Sequence, residues 1–308
     1  MPDNQGMQTD AGAARLDLEY FIVDVFTDIA LAGNPLAVVI DSVGLATERM
    51  QAIAQEFNLS ETTFIQRKAA AIEQAEGVRV RIFTTQEELP FAGHPTLGTA
   101  SVLRMHWPEA LQANTVTLAL NVGPVPVRFD QDCDFGEMMQ RDPEFGQELD
   151  PAEVARLAGL RPDDLDPALP PQVVSTGTAF AIVVLRSAEA LSRLDVEQQQ
   201  ATPWLRERGA RWFYVLGPTG HSKPAWRARM QFYGGEDPAT GSAAGCMISY
   251  LVARGAVPSE QRIMLRQGVE IGRPSNLFLT ARAHAAGVTD VRVAGSTVLV
   301  AKGRFFLP

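Results

Sequence analysis

Four polar residues in this 308-residue chain have types and settings suited to proton chemistry. Glu61 lies in Asn58-Leu59-Ser60-Glu61-Thr62-Thr63-Phe64-Ile65, between an expected helix and an apolar strand. Entry into such a strand predicts partial desolvation of the carboxylate. That raises its pKa toward neutrality, as a group that takes and returns a proton needs. His94 sits in the Gly/Pro loop Pro90-Phe91-Ala92-Gly93-His94-Pro95, where it could donate to a substrate oxygen or relay a proton. Asp237 precedes Pro238, and Ser242 follows Gly241 at the start of an expected helix, offering a hydroxyl or a backbone N–H to a ligand. Structural roles suit the same residues: a surface Glu at a strand end, a His that caps its loop, an Asp N-cap, a Ser that begins a helix.

The settings of His94 and Asp237 resemble each other. His94-Pro95-Thr96-Leu97-Gly98-Thr99-Ala100 and Asp237-Pro238-Ala239-Thr240-Gly241-Ser242-Ala243 share the pattern X-Pro-x-x-Gly-[Ser/Thr]-Ala, with X ionisable in both. Each follows a strand-like Arg-x-Arg, Arg79-Val80-Arg81 in one and Arg227-Ala228-Arg229 in the other. Chance can produce a match this short. The shared strand–loop–helix context argues instead for two copies of one unit, one per domain. A helix N-terminus presents free N–H groups and a positive dipole end. Two such ends facing each other across a domain cleft would grip a small anion.

The elements that must position these residues are mostly strands. Tyr20 to Phe26 and Leu36 to Ile40 read as strands joined by the turn Ala32-Gly33-Asn34-Pro35. Thr47 to Phe57 reads as a helix with Thr47 as N-cap and Met50, Ile53, Ala54 and Phe57 on one face. Further strands are expected over 78–84, 116–120, 125–129, 172–176, 181–185, 212–216 and 228–233. Short and strong helices are expected over 151–160 and 242–254, the second ended by Gly255. Three strand-like segments from Asn276 onward are separated by Gly287, Gly295 and Gly303. The acidic stretch from Asp130 to Pro151 predicts the crossover between domains. The expected organisation is a flexible tail over 1–15, an N-terminal domain over 16–129 and a C-terminal domain over 130–308, with the last strand free to return to the first domain.

Composition narrows the function classes. With 27 Lys plus Arg against 36 Asp plus Glu the formal charge is −9. A net acidic chain without a basic run is a poor binder of phosphate backbones, so nucleic acid is not an expected partner. The longest clean apolar run, Ala179 to Leu185, is far short of the roughly 20 residues that span a bilayer. Cys133 and Cys246 are the only cysteines, which excludes a disulfide framework and a four-thiolate zinc site and points to the cytoplasm. Around Ser242 the serine-hydrolase pattern Gly-x-Ser-x-Gly fails. The four histidines are scattered without an HExxH, and no nucleotide-binding glycine loop is present.

The stretches AGNPLAVV, NLSETTFI, ELPFAGHPTLGTA and DPATGSAAG resemble, in order, the signature blocks of the phenazine biosynthesis PhzF-like family, from about Tyr20 to the C-terminus. The resemblance implies an α+β fold of the diaminopimelate epimerase type: two similar domains, each a barrel-like, mostly antiparallel sheet around a central helix. Epimerases of that fold use two cysteines, each just before a Gly. Here those positions are Ala92 and Thr240. The resemblance instead makes Glu61 the single acid/base, with His94, Asp237 and Ser242 as supporting polar residues. Gly93, Gly241 and Ser242 would hold a substrate carboxylate through backbone N–H groups.

The implied reaction is an isomerisation without cofactor or metal. A proton leaves C3 of a small cyclic amino acid, trans-2,3-dihydro-3-hydroxyanthranilate, and returns to C1. The partner is therefore a small anionic amino-acid-like substrate, and family members are homodimers. Two other readings stay open on the residues: a racemase or epimerase of another amino acid on the same fold, and a small-molecule binding protein without catalysis.

Overall fold

Period-two alternation is visible where the sequence demands it: Val116, Leu118 and Leu120 are buried along the strand Thr115–Leu120, and Val125, Val127 and Phe129 along Gly123–Phe129. A computed structural model describes residues 16–110, 112–130, 135–221, 223, 225–232 and 235–307. Its strands, apart from Glu88–Leu89 and the separate pair Gln231–Phe232 and Gly235–Glu236, join into one long sheet path. Leu16–Val25, Asn34–Val39, Glu61–Gln66, Val78–Phe83, Thr115–Leu120, Gly123–Phe129 and Phe135–Met139 follow one another, and the last strand, Gly287–Leu307, pairs back onto Leu16–Val25 to close a barrel. Beyond Gly287–Leu307 the path continues through Ser275–His284, Ile263–Gln267, Trp226–Arg229, Trp212–Pro218, Ala179–Val184, Gln172–Ser175 and Glu144–Glu148.

Pairing directions repeat in the two halves. In the first, Asn34–Val39 runs parallel to Glu61–Gln66 and Val78–Phe83 runs parallel to Thr115–Leu120. In the second, Ala179–Val184 runs parallel to Trp212–Pro218 and Trp226–Arg229 runs parallel to Ile263–Gln267. All other pairings along the path are antiparallel. The internal repeat thus extends over whole sheets.

The described helices are α1 (Thr47–Phe57), α2 (Ala70–Glu76), α3 (Gly93–His106), α4 (Pro151–Leu157), α5 (Gln198–Glu207) and α6 (Gly241–Ala253). In each half one helix enters the sequence at the same place, between the strand that carries Arg-x-Arg and the strand parallel to it. These are α3 and α6. Every residue of α3 from Gly93 to Leu103 is buried, and so is most of α6. Helices apolar on all sides belong inside a core, and α3 packs within the closed barrel while α6 packs against Ser275–His284 and Gly287–Leu307. No described helix is long and apolar enough to cross a membrane.

Several expectations differ in detail. Thr47 is the first helical residue of α1, not its cap; Ala46 is the cap, and Thr47 Oγ1 accepts from Arg81 Nη2 at 3.0 Å. Helix α4 ends at Leu157, because Gly159 turns the chain at φ +67°. Phe135–Met139 pairs with both Gly123–Phe129 and the last strand, so the chain leaves the first barrel after Met139 rather than near residue 130. Gly295 and Gly303 do not break the C-terminal strand. It runs 21 residues, and Gly295 leaves room for the ring of Phe26. Cys133 lies outside the described residues.

Candidate active site

The first turns of α3 and α6 meet. A Cβ on Gly93 would stand 2.8 Å from the backbone N of Ser242 and 3.0 Å from Gly241 Cα, and one on Gly241 would stand 3.4 Å from Gly93 Cα. Only two glycines permit this approach. The first N–H groups of any helix lack intrahelical partners, so two sets of donors and two positive dipole ends converge at one point. Gln140, on the segment leaving the first barrel, fixes the start of α6. Its Nε2 donates to Gly241 O at 2.9 Å and its Oε1 accepts from Thr176 Oγ1 at 2.6 Å.

Beside this junction lies a cleft of about 1150 Å³. Glu61, Asp237, Thr240 and Ser242 line it, with Phe91 and Phe180 among its apolar walls and Arg206 and Arg211 among its cations. Glu61 opens its strand at the edge of the first barrel, its side chain 16% exposed. Asp237 is buried on the loop before α6. His94 does not line the cleft; it is buried in the first turn of α3 with Nδ1 3.6 Å from Glu61 Oε2. Gly93 and Gly241 likewise lie behind the cleft wall and contribute close approach.

Asn34 joins these groups. It is fully buried at the start of its strand. Its Nδ2 donates to Asp237 Oδ1 (2.7 Å) and Ala239 O (2.9 Å) and lies 3.2 Å from His94 Nδ1. Asp237 Oδ2 also accepts from Thr240 Oγ1 at 2.6 Å. Gln267 locks the loop from below: its Nε2 donates to Asp237 O and Thr240 Oγ1, and its Oε1 accepts from Thr240 N and from the Tyr214 hydroxyl. The turn before Asn34 is held from the second half, where Arg273 donates to Gly33 O and Ala32 O and pairs with Asp24.

Burial dominates the electrostatics. It raises the Glu61 carboxyl well above the usual carboxylate range; the nearby charge of Asp237 adds to this and Arg211 opposes it. Burial also lifts Asp237, to about 6, against hydrogen bonds from Thr240 and Asn34 that favour its charge. His94 is pushed down to about 3, so its imidazole is neutral. An ionisable pair sharing a cleft, one member rich in donors and the other without any, is the arrangement of an acid/base site. Cys246, by contrast, is buried on α6 and its thiol is pushed up to about 11, which leaves no thiolate.

The structure brings Glu61, His94, Asp237 and Ser242 together, but in a different register from the sequence repeat. By fold, Gly93 matches Gly241, since each opens its central helix. His94 therefore corresponds to Ser242, and Asp237 lies outside the helix. Ala92 and Thr240 are the two cap residues, where epimerases of this fold would carry thiols. Glu236, beside Asp237, is taken up by a paired contact with Arg229. Asn34, Gln140 and Gln267 were not singled out by the sequence as site residues, and Thr240 was named only as a position that lacks a thiol. Asn34 stood inside the AGNPLAVV block, but an Asn after Gly reads first as turn chemistry.

Comparison with known proteins shows what the whole chain is similar to. Residues 23–303 match the family model of phenazine biosynthesis-like proteins, PhzC-PhzF. The chain is 38% identical over 296 residues to a trans-2,3-dihydro-3-hydroxyanthranilate isomerase of Pseudomonas aeruginosa, covering 94% of this chain and 99% of that one. Its structure is similar to that of a PhzF-family phenazine biosynthesis protein of Bacillus anthracis, with a TM-score of 0.83 at 26% identity over 95% and 100% of the two chains. A predicted epimerase from Pseudomonas aeruginosa gives a TM-score of 0.79 at 34% identity over 94% and 99%. With the family model matched over residues 23–303 and a relative 38% identical over nearly the whole length of both chains, the chain belongs to the family of phenazine biosynthesis-like proteins.

Proposed function

We propose that this protein is a cofactor-independent isomerase that moves a proton within trans-2,3-dihydro-3-hydroxyanthranilate or a close cyclic amino acid. The observation that carries the reading is Glu61: a cleft carboxyl whose Oε2 is buried without a hydrogen-bond partner beside a neutral imidazole. Such a carboxylate is a stronger base than one in water, which suits abstraction from carbon. The identity to a relative named for that isomerisation supports the substrate.

In the proposed reaction Glu61, as carboxylate, takes the C3 proton. The electron pair spreads through the conjugated ring toward C1 and the substrate carboxylate. Glu61 then returns the proton to C1, so no atom is gained or lost. The substrate carboxylate sits at the junction of α3 and α6, held by the Ser242 N–H and hydroxyl at the helix start. The substrate ammonium faces Asp237. Its positive charge allows Glu61 and Asp237 to be ionised together, which two bare carboxylates resist. His94 stands behind Glu61, its Nδ1 3.6 Å from Oε2.

Incubation with the substrate in D2O, wild type against Glu61→Gln, tests this. Loss of turnover in the variant, with less than full deuterium uptake at C1 in the wild type, is expected. Equal turnover of the two forms overturns the role of Glu61, and no turnover of either overturns the substrate. The family resemblance also supports a homodimer working in the cytoplasm; sedimentation of single 33.4 kDa chains would overturn the former.

A further inference from the structure

We propose that Asn34 is a positioning residue that assigns the single negative charge of the resting junction to Asp237 and leaves the proton on Glu61. The proposal rests on the reading that Glu61 and Asp237 are the working acid/base pair. Its basis is how the hydrogen-bond donors are shared between the two carboxyls.

An Asn amide nitrogen carries two hydrogens. Asn34 Nδ2 faces three acceptors: Asp237 Oδ1, Ala239 O and His94 Nδ1. The amide cannot be turned over, because Oδ1 would then face a carboxylate and a carbonyl. The two oxygens are the nearer acceptors and take the two hydrogens. His94 Nδ1 is the third, and receives no hydrogen from Asn34. Glu61 Oε2 lies 3.6 Å from the same nitrogen, beyond hydrogen-bond reach, and is buried with no partner of its own. A proton on Glu61 spares the fold a buried carboxylate oxygen to which nothing donates.

The donors divide the same way. Asp237 receives N–H and O–H donors on both oxygens, from Asn34 and Thr240, whereas Glu61 Oε2 receives none. Charge-assisted hydrogen bonds stabilise the ionised form. Of the other groups facing Asp237, only the charge of Glu236 opposes its ionisation, and that charge is paired. Tyr214 lies below it through Gln267 and is held neutral by burial, Glu236 is paired with Arg229, and His94 is neutral. Asn34 belongs to the first barrel and Asp237 to the second half, so the assignment depends on the two halves being docked.

Carboxyl carbon NMR titration of the ligand-free full chain tests the proposal without substrate. In the wild type Asp237 should lose its proton at lower pH than Glu61. In Asn34→Leu, which keeps volume but removes both hydrogens, Asp237 should titrate about one to two pH units higher. Glu61 titrating first in the wild type, or an unmoved Asp237 in a folded variant, overturns the proposal. Should Asn34→Leu fail to fold, Asn34→Ala, which removes the same two hydrogens without the branched side chain, is titrated in its place and decides by the same shift. The titrations stand even if the isomerase reading fails, since that failure shows only as absent turnover. With turnover, the acid limb of kcat/KM should shift upward in the variant, and a lowered rate with an unmoved limb would mark a merely structural role.

Discussion

Gly93 and Ser242 stand so close that a methyl group on the first would lie 2.8 Å from the amide nitrogen of the second. The contact joins the two halves backbone to backbone, at the point where both central helices begin. No side chain separates the donors of one helix from those of the other. A small anion placed there meets two helix ends at once, and the −9 charge of the whole chain is offset locally by aligned peptide dipoles.

This geometry ranks two conservative substitutions. Gly93→Ala presses Cβ onto the Ser242 backbone, and backbone cannot rotate away. Gly241→Ala meets the Phe26 ring at 3.1 Å and Gly93 Cα at 3.4 Å, contacts that a small ring shift relieves. Overpacking a tight contact costs about 1–3 kcal/mol. Gly93→Ala should fall at the upper end and raise KM more than tenfold by parting the helix starts; Gly241→Ala should cost less in both. Thermal melts and steady-state kinetics check the order, and a milder Gly93→Ala would contradict it.

Cys246 tests the distinction from two-thiol epimerases. It lies on α6 beyond the cap position, buried and donating toward Thr178 O. Its protonated thiol should resist iodoacetamide in the folded protein at pH 8, and Cys246→Ala should leave kcat within about twofold. Peptide mass mapping reads the first. Rapid alkylation of Cys246 in the native state would show an accessible thiolate that the fold does not predict.

How far the sequence reached follows from what each signal depends on. Strands such as Thr115–Leu120 and helices such as α1 and α6 declare themselves locally, through alternation or a run of small apolar residues. Glu61 was legible because its apolar setting is local too. The register of the repeat was not. The matched prolines aligned His94 with Asp237, but the helices begin at Gly93 and Gly241. The exposed strand Glu144–Glu148 carries no alternation and was hidden in an acidic run. Asn34, Gln140 and Gln267 act through partners between 27 and 205 positions away. Such contacts exist only once both sheets are formed, so no window of sequence contains them.

His94 should stay neutral over the working range. Burial holds it near 3, below its ordinary 6.5. Folded protein therefore binds no proton there as pH falls, while the unfolded chain does. The stability this confers is full above about 6.5 and is lost progressively as pH drops toward 3, reaching about 2 kcal/mol at pH 5. His94→Gln should lose less stability between pH 7 and pH 5 than the wild type. Imidazole NMR should show no His94 titration from pH 8 to pH 5; a midpoint near 6.5 would refute its neutral role.

Asp237 works in the opposite direction. Its folded carboxyl is lifted to about 6 from an ordinary 3.8, so the folded state holds a proton that the unfolded chain has already released. That contribution is fully present below about 3.8 and is lost as pH rises through 6. At pH 8 the buried charge costs the fold about 3 kcal/mol. Asp237→Asn keeps an acceptor for Asn34 and removes the charge. It should melt several degrees higher than the wild type at pH 8, with the gap closing by pH 4, while losing at least a hundredfold in turnover because the substrate ammonium has no counter-charge. Melting curves at the two pH values separate the effects: stabilisation confined to high pH identifies the buried carboxylate as its source, and an equal gain at pH 4 would assign it to repacking instead.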